Sequence, residues 1–485
     1  RSTLMRSSAA SDVYKRQMLG IAFLTGCSDF IDLVPPSTAT VGSVYKTDKD
    51  FKDALVGCYN ALRSQYGVFW QWDLASDDVR HQWNTLDIRR NLDEYTYQNN
   101  EGFFSSRWNG YYSLIYRANY ILQAIENIDE GIVPKKQEYI GEAKFMRAIG
   151  HFDLVRAFGD IPLITKVMLD DEAIQTGRTS VNAVYEQIIS DLKDAGEVLP
   201  EKYTGSDVGR VTKGAAKAIL GRVYLTHHLF SEAEAVLKEV TTMGYELLPN
   251  FNDLWNYSLD EHHSEYIFDI EYESDIQLGS SFTNDFLPQQ AEIAQLYGIP
   301  GAAGNSNTPS DALFEIFEDN DSRKDVTVAR GWTDADGVYH EINSAQGAKT
   351  YTKKYLTAIP RFNDSPCNWK VIRYADVLLM LAEALNENNK TAEALMYVNK
   401  VRIRANVSPY PNNISKDALR EEIYDERRRE LSFEGHRWWD LARTGRVLKA
   451  CGLEDRPYMV LFPIPLSQVQ VMNNSDIFPQ NPGWD

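Results

Sequence analysis

Two stretches of sequence decide the fold: GRVYLTHHLFSEAEAVLKEV (Gly221–Val240) and AEALNENNKTAEALMYVNKV (Ala382–Val401). Each begins with a small residue and then places apolar residues at offsets of 3, 12, 16 and 19 positions. This spacing is typical of tetratricopeptide helix pairs, in which a small residue lets the paired helices approach closely. Any helical hairpin gives similar spacing, but the agreement at five positions favours an internal repeat. The two stretches therefore predict a scaffold of helical hairpins.

Upstream segments extend the helical pattern. Trp108–Asp129 carries an apolar stripe at helical spacing, Lys136–Phe158 follows as a partner, and Val181–Leu199 repeats the pattern and stops at Pro200. With these segments, three or four helix pairs are expected. Such pairs normally form a scaffold for binding or packing, which favours a binding function over catalysis.

Residues 246–367 differ from the helical regions in composition. They are rich in Asn, Asp, Gly, Ser and aromatic residues, with short strand-like runs at Tyr266–Tyr272 and Val326–Trp332. Asp334–Gly337 (DADG) between apolar runs predicts a hairpin. Long irregular segments on a rigid scaffold are usually functional. We therefore predict a mainly α fold with loop and short-strand insertions, in one domain over residues 48–485.

The charge and motif content exclude several classes of function. The chain has 50 basic and 69 acidic residues, a net charge of −19, which argues against nucleic acid as a partner. It contains no HExxH, GxSxG or phosphate-loop motif, so we predict no enzyme and no cofactor. Asp319–Asp321 (DND) lacks the Gly and the terminal Glu of a calcium loop, and no metal site is predicted. Carboxylate pairs leave a glycoside hydrolase as an alternative.

The amino-terminal residues indicate a lipid anchor. Residues 1–17 show no apolar periodicity and are expected to be a non-native extension. Residues 18–26 (MLGIAFLTG) are too short to span a membrane and resemble the end of a bacterial lipoprotein signal, with Cys27 as the acylated residue. The alternative is a short buried helix with an ordinary cysteine. Residues 27–47, with Pro35 and Pro36, are expected to form an extended tether.

Five ordered segments resemble the SusD/RagB family of nutrient-binding outer-membrane lipoproteins. The resemblance covers nearly all of the chain from Cys27 to Asp485. The segments that carry it are Glu142–Ile164, Gly209–Leu225, Asn368–Glu387, Tyr424–Arg446 and Leu461–Trp484.

This resemblance implies a SusD-like helical fold with four tetratricopeptide-like units. It also implies a surface lipoprotein of the outer membrane that binds an oligosaccharide or polysaccharide and delivers it to a SusC-like TonB-dependent transporter. We expect most of the resembling segments to be structural. In Tyr424–Arg446, for example, Arg and Glu at helical spacing can form ion-pair ladders, while Trp438 and Trp439 pack.

The candidate ligand residues are aromatic and charged side chains in the predicted loops. A sugar presents flat C–H faces and a rim of hydroxyls, so its site needs exposed rings beside polar side chains. The densest match is Phe69–Trp83, and its Ser76–Asp78 part resembles a family segment near the glycan site. The candidates are Trp70, Trp72, Asp78, Arg80 and Trp83, with Trp332 beside the predicted hairpin. The alternative is that the loop aromatics anchor this segment to the core.

Three further functions stay open at the level of sequence. Some members of the resembling family serve peptide uptake, so the same scaffold can bind peptides instead of glycans. A glycoside hydrolase and a purely structural subunit of a transporter are the other two.

Overall fold

Helices build most of the molecule, which the computed structural model describes for residues 45–82, 87–259, 262–344 and 347–484. Cys27, the signal-like segment and Trp83 lie outside the described residues. The helices are α1 Asp48–Tyr66, α2 Ile88–Asp93, α3 Gly102–Ile125, α4 Lys136–Phe158, α5 Asp170–Ala173, α6 Val181–Val198, α7 Lys213–Thr226, α8 Phe230–Val240, α9 Phe282–Phe286, α10 Ala291–Tyr297, α11 Asp311–Glu315, α12 Lys324–Thr327, α13 Tyr374–Glu387, α14 Thr391–Arg404, α15 Lys416–Leu431, α16 Arg437–Arg443, α17 Val447–Cys451 and α18 Leu466–Met472.

Six short strands form three antiparallel pairs among the described residues. The strands are β1 Val79–Arg80, β2 Tyr266–Ile270, β3 Thr308–Pro309, β4 Gly331–Thr333, β5 Tyr339–Glu341 and β6 Trp369–Arg373. They pair as β1 with β3, β2 with β6, and β4 with β5. The prediction of a mainly α fold with short-strand insertions is confirmed.

The long helices pack in a stack that follows the chain. α3 packs on α4, α4 on α6, α6 on α7, and α7 on α8; α8 then packs on α13, which pairs with α14. The bounds predicted for α4 are confirmed, and this helix ends where Gly159 adopts a φ of +72°. The helix expected at Trp108 begins earlier, at Gly102, because Phe103 and Phe104 extend its buried face. Residues Tyr45–Asp485 form one compact unit.

The predicted repeat corresponds to α7–α8 and α13–α14. All ten of its small and large positions are buried. At Gly221, an added Cβ would lie 2.4 Å from Cδ2 of Leu237, the residue at the predicted offset of 16. The two helices therefore approach too closely for any side chain at this position, and the reason proposed for the small residue is confirmed.

The insertion follows its predicted pattern in part. The turn at Asp334–Gly337 joins β4 to β5, with Gly337 at a φ of +83° and Asp334 N–H donating to Val338 O at 3.0 Å. The strand-like run expected at Val326–Trp332 is wrong in its first half. There the chain forms the α12 turn, in which Thr327 N–H donates to Arg323 O at 2.9 Å. Of the helices described, none is long and apolar enough to cross a membrane.

Candidate ligand-binding face

The two loop regions singled out in the sequence are joined by the β1–β3 pair. Val79 lies opposite Pro309 and Arg80 opposite Thr308. Ser310 strengthens the junction, since its backbone N–H donates to Asp78 O and its hydroxyl to Asp77 O, both at 2.7 Å. Residues 77–80, near the start of the described chain, and residues 308–310 of the insertion thus form one continuous surface, which we call the loop face.

The loop tryptophans lie beneath this face. Phe69–Ala75 forms a 3-10 helix that turns Trp70 and Trp72 inward, leaving them 1% and 2% exposed. The Trp72 ring lies 4.7 Å from the rings of Phe103 and Phe462. The prediction that these two rings are exposed platforms is wrong. The alternative, that loop aromatics anchor the segment to the core, describes their packing.

Two of the three acidic residues of the loop, Asp77 and Asp78, are ion-paired. Asp78 is buried and pairs with Arg428 of α15, and Asp77 accepts two hydrogen bonds from Arg437 of α16, at 2.7 and 2.8 Å. The prediction of Asp78 as an exposed ligand residue is therefore corrected, because this carboxylate holds the loop against α15. Arg80 keeps an exposed side chain, with its Nη1 3.6 Å from Asp93.

Polar groups with unused hydrogen-bonding capacity lie at the strand junction. Nδ2 of Asn305 and Oδ1 of Asn307 are buried and have no hydrogen-bond partner within the described ranges. Asn305 adopts a φ of +44°, and Arg89 donates to Ser306 Oγ at 3.1 Å. Unsatisfied buried polar groups are rare and costly, so this junction has spare capacity for a polar ligand or water.

The β4–β5 hairpin presents a different ring from the one expected. Trp332 is only 8% exposed, and its ring stacks on His340 at 5.3 Å, while His340 Nε2 lies 2.6 Å from Asp334. Tyr339 on the partner strand is 57% exposed. Side chains alternate between the two faces of a strand, so Tyr339 and His340 point to opposite sides. The sequence interpretation missed Tyr339. Side chains along Val338–Ile342 (VYHEI) alternate between the two faces of the strand, so placing His340 and Trp332 on the inner face would have placed Tyr339 on the outer face.

Charged side chains lie near Tyr339, since burial and the charges of Glu341 and Asp325 raise the pKa of its hydroxyl while Arg330 lowers it. Lys353 Nζ contacts both carboxylate oxygens of Asp325, at 2.9 and 2.8 Å, and the guanidinium of Arg330 lies 3.4 Å from the Phe314 ring centroid. The hydroxyl of Thr350 donates to Pro309 O at 2.8 Å, which ties the hairpin region to β3. The hairpin and the strand junction thus belong to the same loop face.

A buried ion-pair network fixes the loop face to α15. Arg323 is buried and contacts Glu426 and Glu430 at 2.7 and 3.0 Å. Lys354 contacts Glu434 at 2.8 Å. The predicted ladder within Tyr424–Arg446 is therefore only part of the arrangement, because these glutamates also reach across to the insertion.

Arg373, at the end of β6, connects this network to the scaffold. It contacts Glu265 at 2.8 Å, Glu430 at 2.6 Å and Glu434 at 2.7 Å. Burial alone would raise the pKa of Glu434, but the charges of Arg373 and Lys354 lower it to about 2. The carboxylate of Glu434 therefore stays ionised inside the protein at neutral pH.

The described residues contain no group of three or more His, Cys, Asp or Glu side chains that could hold a metal ion. What the loop face offers is an exposed ring, paired charges and unsatisfied amides on a rigid helical stack. This arrangement defines a binding protein built on helical repeats.

The comparisons with known proteins give the family. The model of the SusD family matches residues 263–457, and a model described as starch-binding associating with outer membrane matches residues 29–225. SusD-like protein P2 of Formosa agariphila is 31% identical over 512 positions, which cover 95% of this chain and 97% of that relative. The chain belongs to the SusD family.

Solved structures agree in fold. A SusD homolog from Bacteroides thetaiotaomicron gives a TM-score of 0.80 at 25% identity and covers 92% of this chain and 98% of its own. A laminarin-binding SusD-like protein gives a TM-score of 0.77 at 28% identity and covers 90% of this chain and 100% of its own.

Proposed function

We propose that this protein is a cell-surface lipoprotein that captures oligosaccharides on its loop face and delivers them to a SusC-like TonB-dependent transporter. The observation that carries the binding step is the exposed Tyr339 ring beside paired charges on the face built by β1–β3 and β4–β5. An aromatic ring offers an apolar surface to a sugar face, and the surrounding side chains exchange hydrogen bonds with its hydroxyls.

Each candidate residue has a distinct proposed role. Tyr339 serves as the platform, and Arg80 donates hydrogen bonds from its exposed guanidinium. Trp332 supports the hairpin and contributes the small part of its ring that is exposed, and Trp83 stays a candidate platform outside the described residues. Trp70, Trp72 and Asp78 act indirectly, because they hold the loop in place.

The relatives favour a glucan as the first ligand to try. One similar solved structure is described as laminarin-binding, and one matching family model is described as starch-binding. Laminarin and starch are both polymers of glucose but differ in linkage, so together they sample two backbone shapes.

Binding is tested by affinity electrophoresis of the soluble chain in gels that contain laminarin or starch. We expect retardation of the wild type by at least one glucan. Tyr339→Ala should weaken binding about tenfold, since one stacked ring contributes on the order of 1 kcal/mol or more. Tyr116→Ala, which removes a half-exposed tyrosine of α3, is the matched control and should bind as the wild type does.

Other outcomes point to the alternatives. Retardation by neither glucan, together with affinity for digested protein, would replace glycan binding with peptide binding. Release of reducing ends during incubation would revive the hydrolase. Normal growth of a strain carrying Tyr339→Ala, set against failed growth of a deletion strain, would favour a purely structural transporter subunit.

The anchoring and delivery steps have a separate test. The matched family description, associating with outer membrane, supports the proposed location. In cells, Cys27→Ala should release the protein from the membrane fraction and abolish its labelling by a fatty acid, while a tagged wild type should co-purify with a TonB-dependent transporter. Membrane retention of Cys27→Ala would contradict the lipid anchor.

A further inference from the structure

A cavity lies away from the loop face, beside the first copy of the repeat. Its volume is about 600 Å³, within the range of small-molecule sites. Three segments form its walls: the connection between α6 and α7 (residues 201–212), the chain after α8 (residues 243–245) and the chain that enters β2 (residues 262–267). None of these segments belongs to the loop face.

The lining combines aromatic rings with hydrogen-bonding groups. Tyr203, Tyr245 and Tyr266 contribute rings, while Lys202, Glu201 and Thr212 contribute polar side chains. Flat apolar surface beside hydroxyl, amine and carboxylate groups suits a molecule that has both C–H faces and hydroxyls.

One wall of the cavity is held rigidly. Arg210 forms an ion pair with the buried Glu142, with its Nε 3.0 Å from the carboxylate, and its guanidinium lies 5.3 Å from the ring centroids of Tyr139 and Tyr203. Tyr59 donates to the same carboxylate at 2.6 Å and accepts from Val211 N–H at 2.9 Å. A wall fixed in this way is organised before any ligand arrives, which lowers the entropy cost of binding.

Tyr266 supplies the observation that points to a missing partner. Its hydroxyl is buried and donates to no acceptor among the residues that the structure describes, although the backbone of Asp269 is near enough to oppose the rise in its pKa. Burial raises the pKa of this hydroxyl well above its usual value, so it stays protonated and can donate. Leaving such a group unpaired costs free energy that a ligand hydroxyl would recover.

The charges at the cavity are balanced. Arg210 is paired with Glu142, and His262 Nε2 lies 2.8 Å from Glu271 Oε1. Glu201 and Lys202 contribute one charge of each sign. A strongly charged ligand would therefore meet no net attraction, whereas a neutral one would lose none of these pairs.

We propose that this cavity is a second binding site, separate from the loop face, for one neutral sugar ring or a disaccharide. The site is built on the connections that follow the scaffold helices and on the start of β2, and not on β1–β3 or β4–β5, so it binds short sugars without using the contacts of the loop face. It gives the protein a second point of contact with sugars, at another part of its surface.

The test is saturation-transfer NMR on the whole soluble chain, with glucose and laminaribiose as neutral probes and glucuronate as the charged probe. We expect transfer to the neutral probes in the wild type and in Tyr339→Ala. Val208→Trp, which places a bulky ring at a half-exposed position of the lining, should abolish the transfer that remains in Tyr339→Ala when the two substitutions are combined. Tyr266→Phe removes only the unpaired hydroxyl, and it should weaken binding roughly fivefold.

The outcomes separate the two sites. Transfer that survives Val208→Trp but disappears in Tyr339→Ala would place all sugar binding on the loop face and overturn the second site. Absence of transfer to both neutral probes would overturn it as well, and stronger transfer to glucuronate would overturn the neutral ligand class. Because Tyr266→Phe leaves the ring in place and removes no hydrogen bond that the hydroxyl donates, misfolding would not explain its effect.

Discussion

The repeat helices and the junction between the insertion and α15 are held together by different interactions. Apolar packing dominates in the repeat helices, and buried ion pairs dominate at the junction. Where α7 meets α8, Gly221 lies against Leu237 in a buried apolar contact, and the ion pair between Lys217 and Glu239 lies at the partly exposed edge of that contact. Where the insertion meets α15, buried arginines and a lysine contact buried glutamates. An apolar contact is non-directional, whereas a buried charge demands its partner at a defined place.

This difference has a consequence for the loop face. Burying charges costs several kcal/mol per ion, so the junction is stable only while every pair is complete. The insertion is consequently held in one register on α15, and β1 is drawn to the same helix through Asp78 and Arg428. The network therefore positions both halves of the loop face from a single helix, even though it lies beneath the surface that would meet a ligand.

The largest effect is expected from removing the arginine that contacts three glutamates. Arg373→Met should destabilise the protein by about 3–5 kcal/mol, because Glu265, Glu430 and Glu434 stay buried with fewer partners. The free energy of unfolding is measured by urea denaturation, and limited proteolysis should show cleavage within residues 246–367 first.

A matched control uses an exposed pair of the same charge type. Lys49 and Asp53 form an ion pair on the surface of α1, and Lys49→Ala should leave the free energy of unfolding nearly unchanged because water screens the pair. Equal effects of the two substitutions would contradict the distinction between buried and exposed charges on which the comparison depends.

Acid should open the junction before the repeat helices. The pKa of Glu434 is about 2 in the folded protein and near 4.3 in an unfolded chain. Because the folded value is lowered, this group stabilises the fold above pH 4.3, and that contribution is lost as the pH falls toward 2. The loss is at most about 3 kcal/mol for this one group.

Hydrogen exchange between pH 5 and pH 2 is the measurement. Corrected for the intrinsic rate, the protection of the insertion should fall more than that of α7 and α8. Glu434→Gln, which cannot ionise, should lose protection already at pH 5 and show a flatter pH dependence. Uniform loss of protection across the chain would show that the insertion and the repeat helices unfold together, and that the buried charges do not control the insertion alone.

The repeat helices could be predicted from the sequence, whereas the ion-paired junction between the insertion and α15 could not. The repeat was predictable because helix packing leaves a period in the chain, and Gly221 and Leu237 mark it 16 positions apart. The junction was not, because Arg323 and Glu426 are separated by 103 positions and nothing local links them. For the same reason Asp78 resembled a ligand residue, since its partner Arg428 is 350 positions away.

Predicting the candidate site required knowing which aromatic rings are exposed to solvent. Trp70 and Trp72 are aromatic residues in a loop, and composition alone does not distinguish a ring turned inward by a 3-10 helix from one exposed to solvent. In a hairpin strand, neighbouring residues face opposite sides, so an error of one position exchanges the buried and exposed faces. The sequence therefore suggests Trp332 as the platform, although Tyr339 is the ring on the exposed side. Exposure is set by tertiary packing, which sequence patterns report only indirectly.

The smallest effect is expected in the repeat region, and it tests the apolar half of the comparison. Gly221→Ala places a Cβ 2.4 Å from the Leu237 side chain, which must shift within a buried cluster. The crowding costs about 1–3 kcal/mol, and the higher helix propensity of alanine returns about 1 kcal/mol, so a net loss of roughly 1 kcal/mol is expected. Gly102→Ala has no atom within 4 Å of the new Cβ and should leave stability unchanged or slightly higher. If both substitutions stabilise the protein equally, then close approach of α7 and α8 is not what requires glycine at position 221, and helix propensity alone would govern both sites.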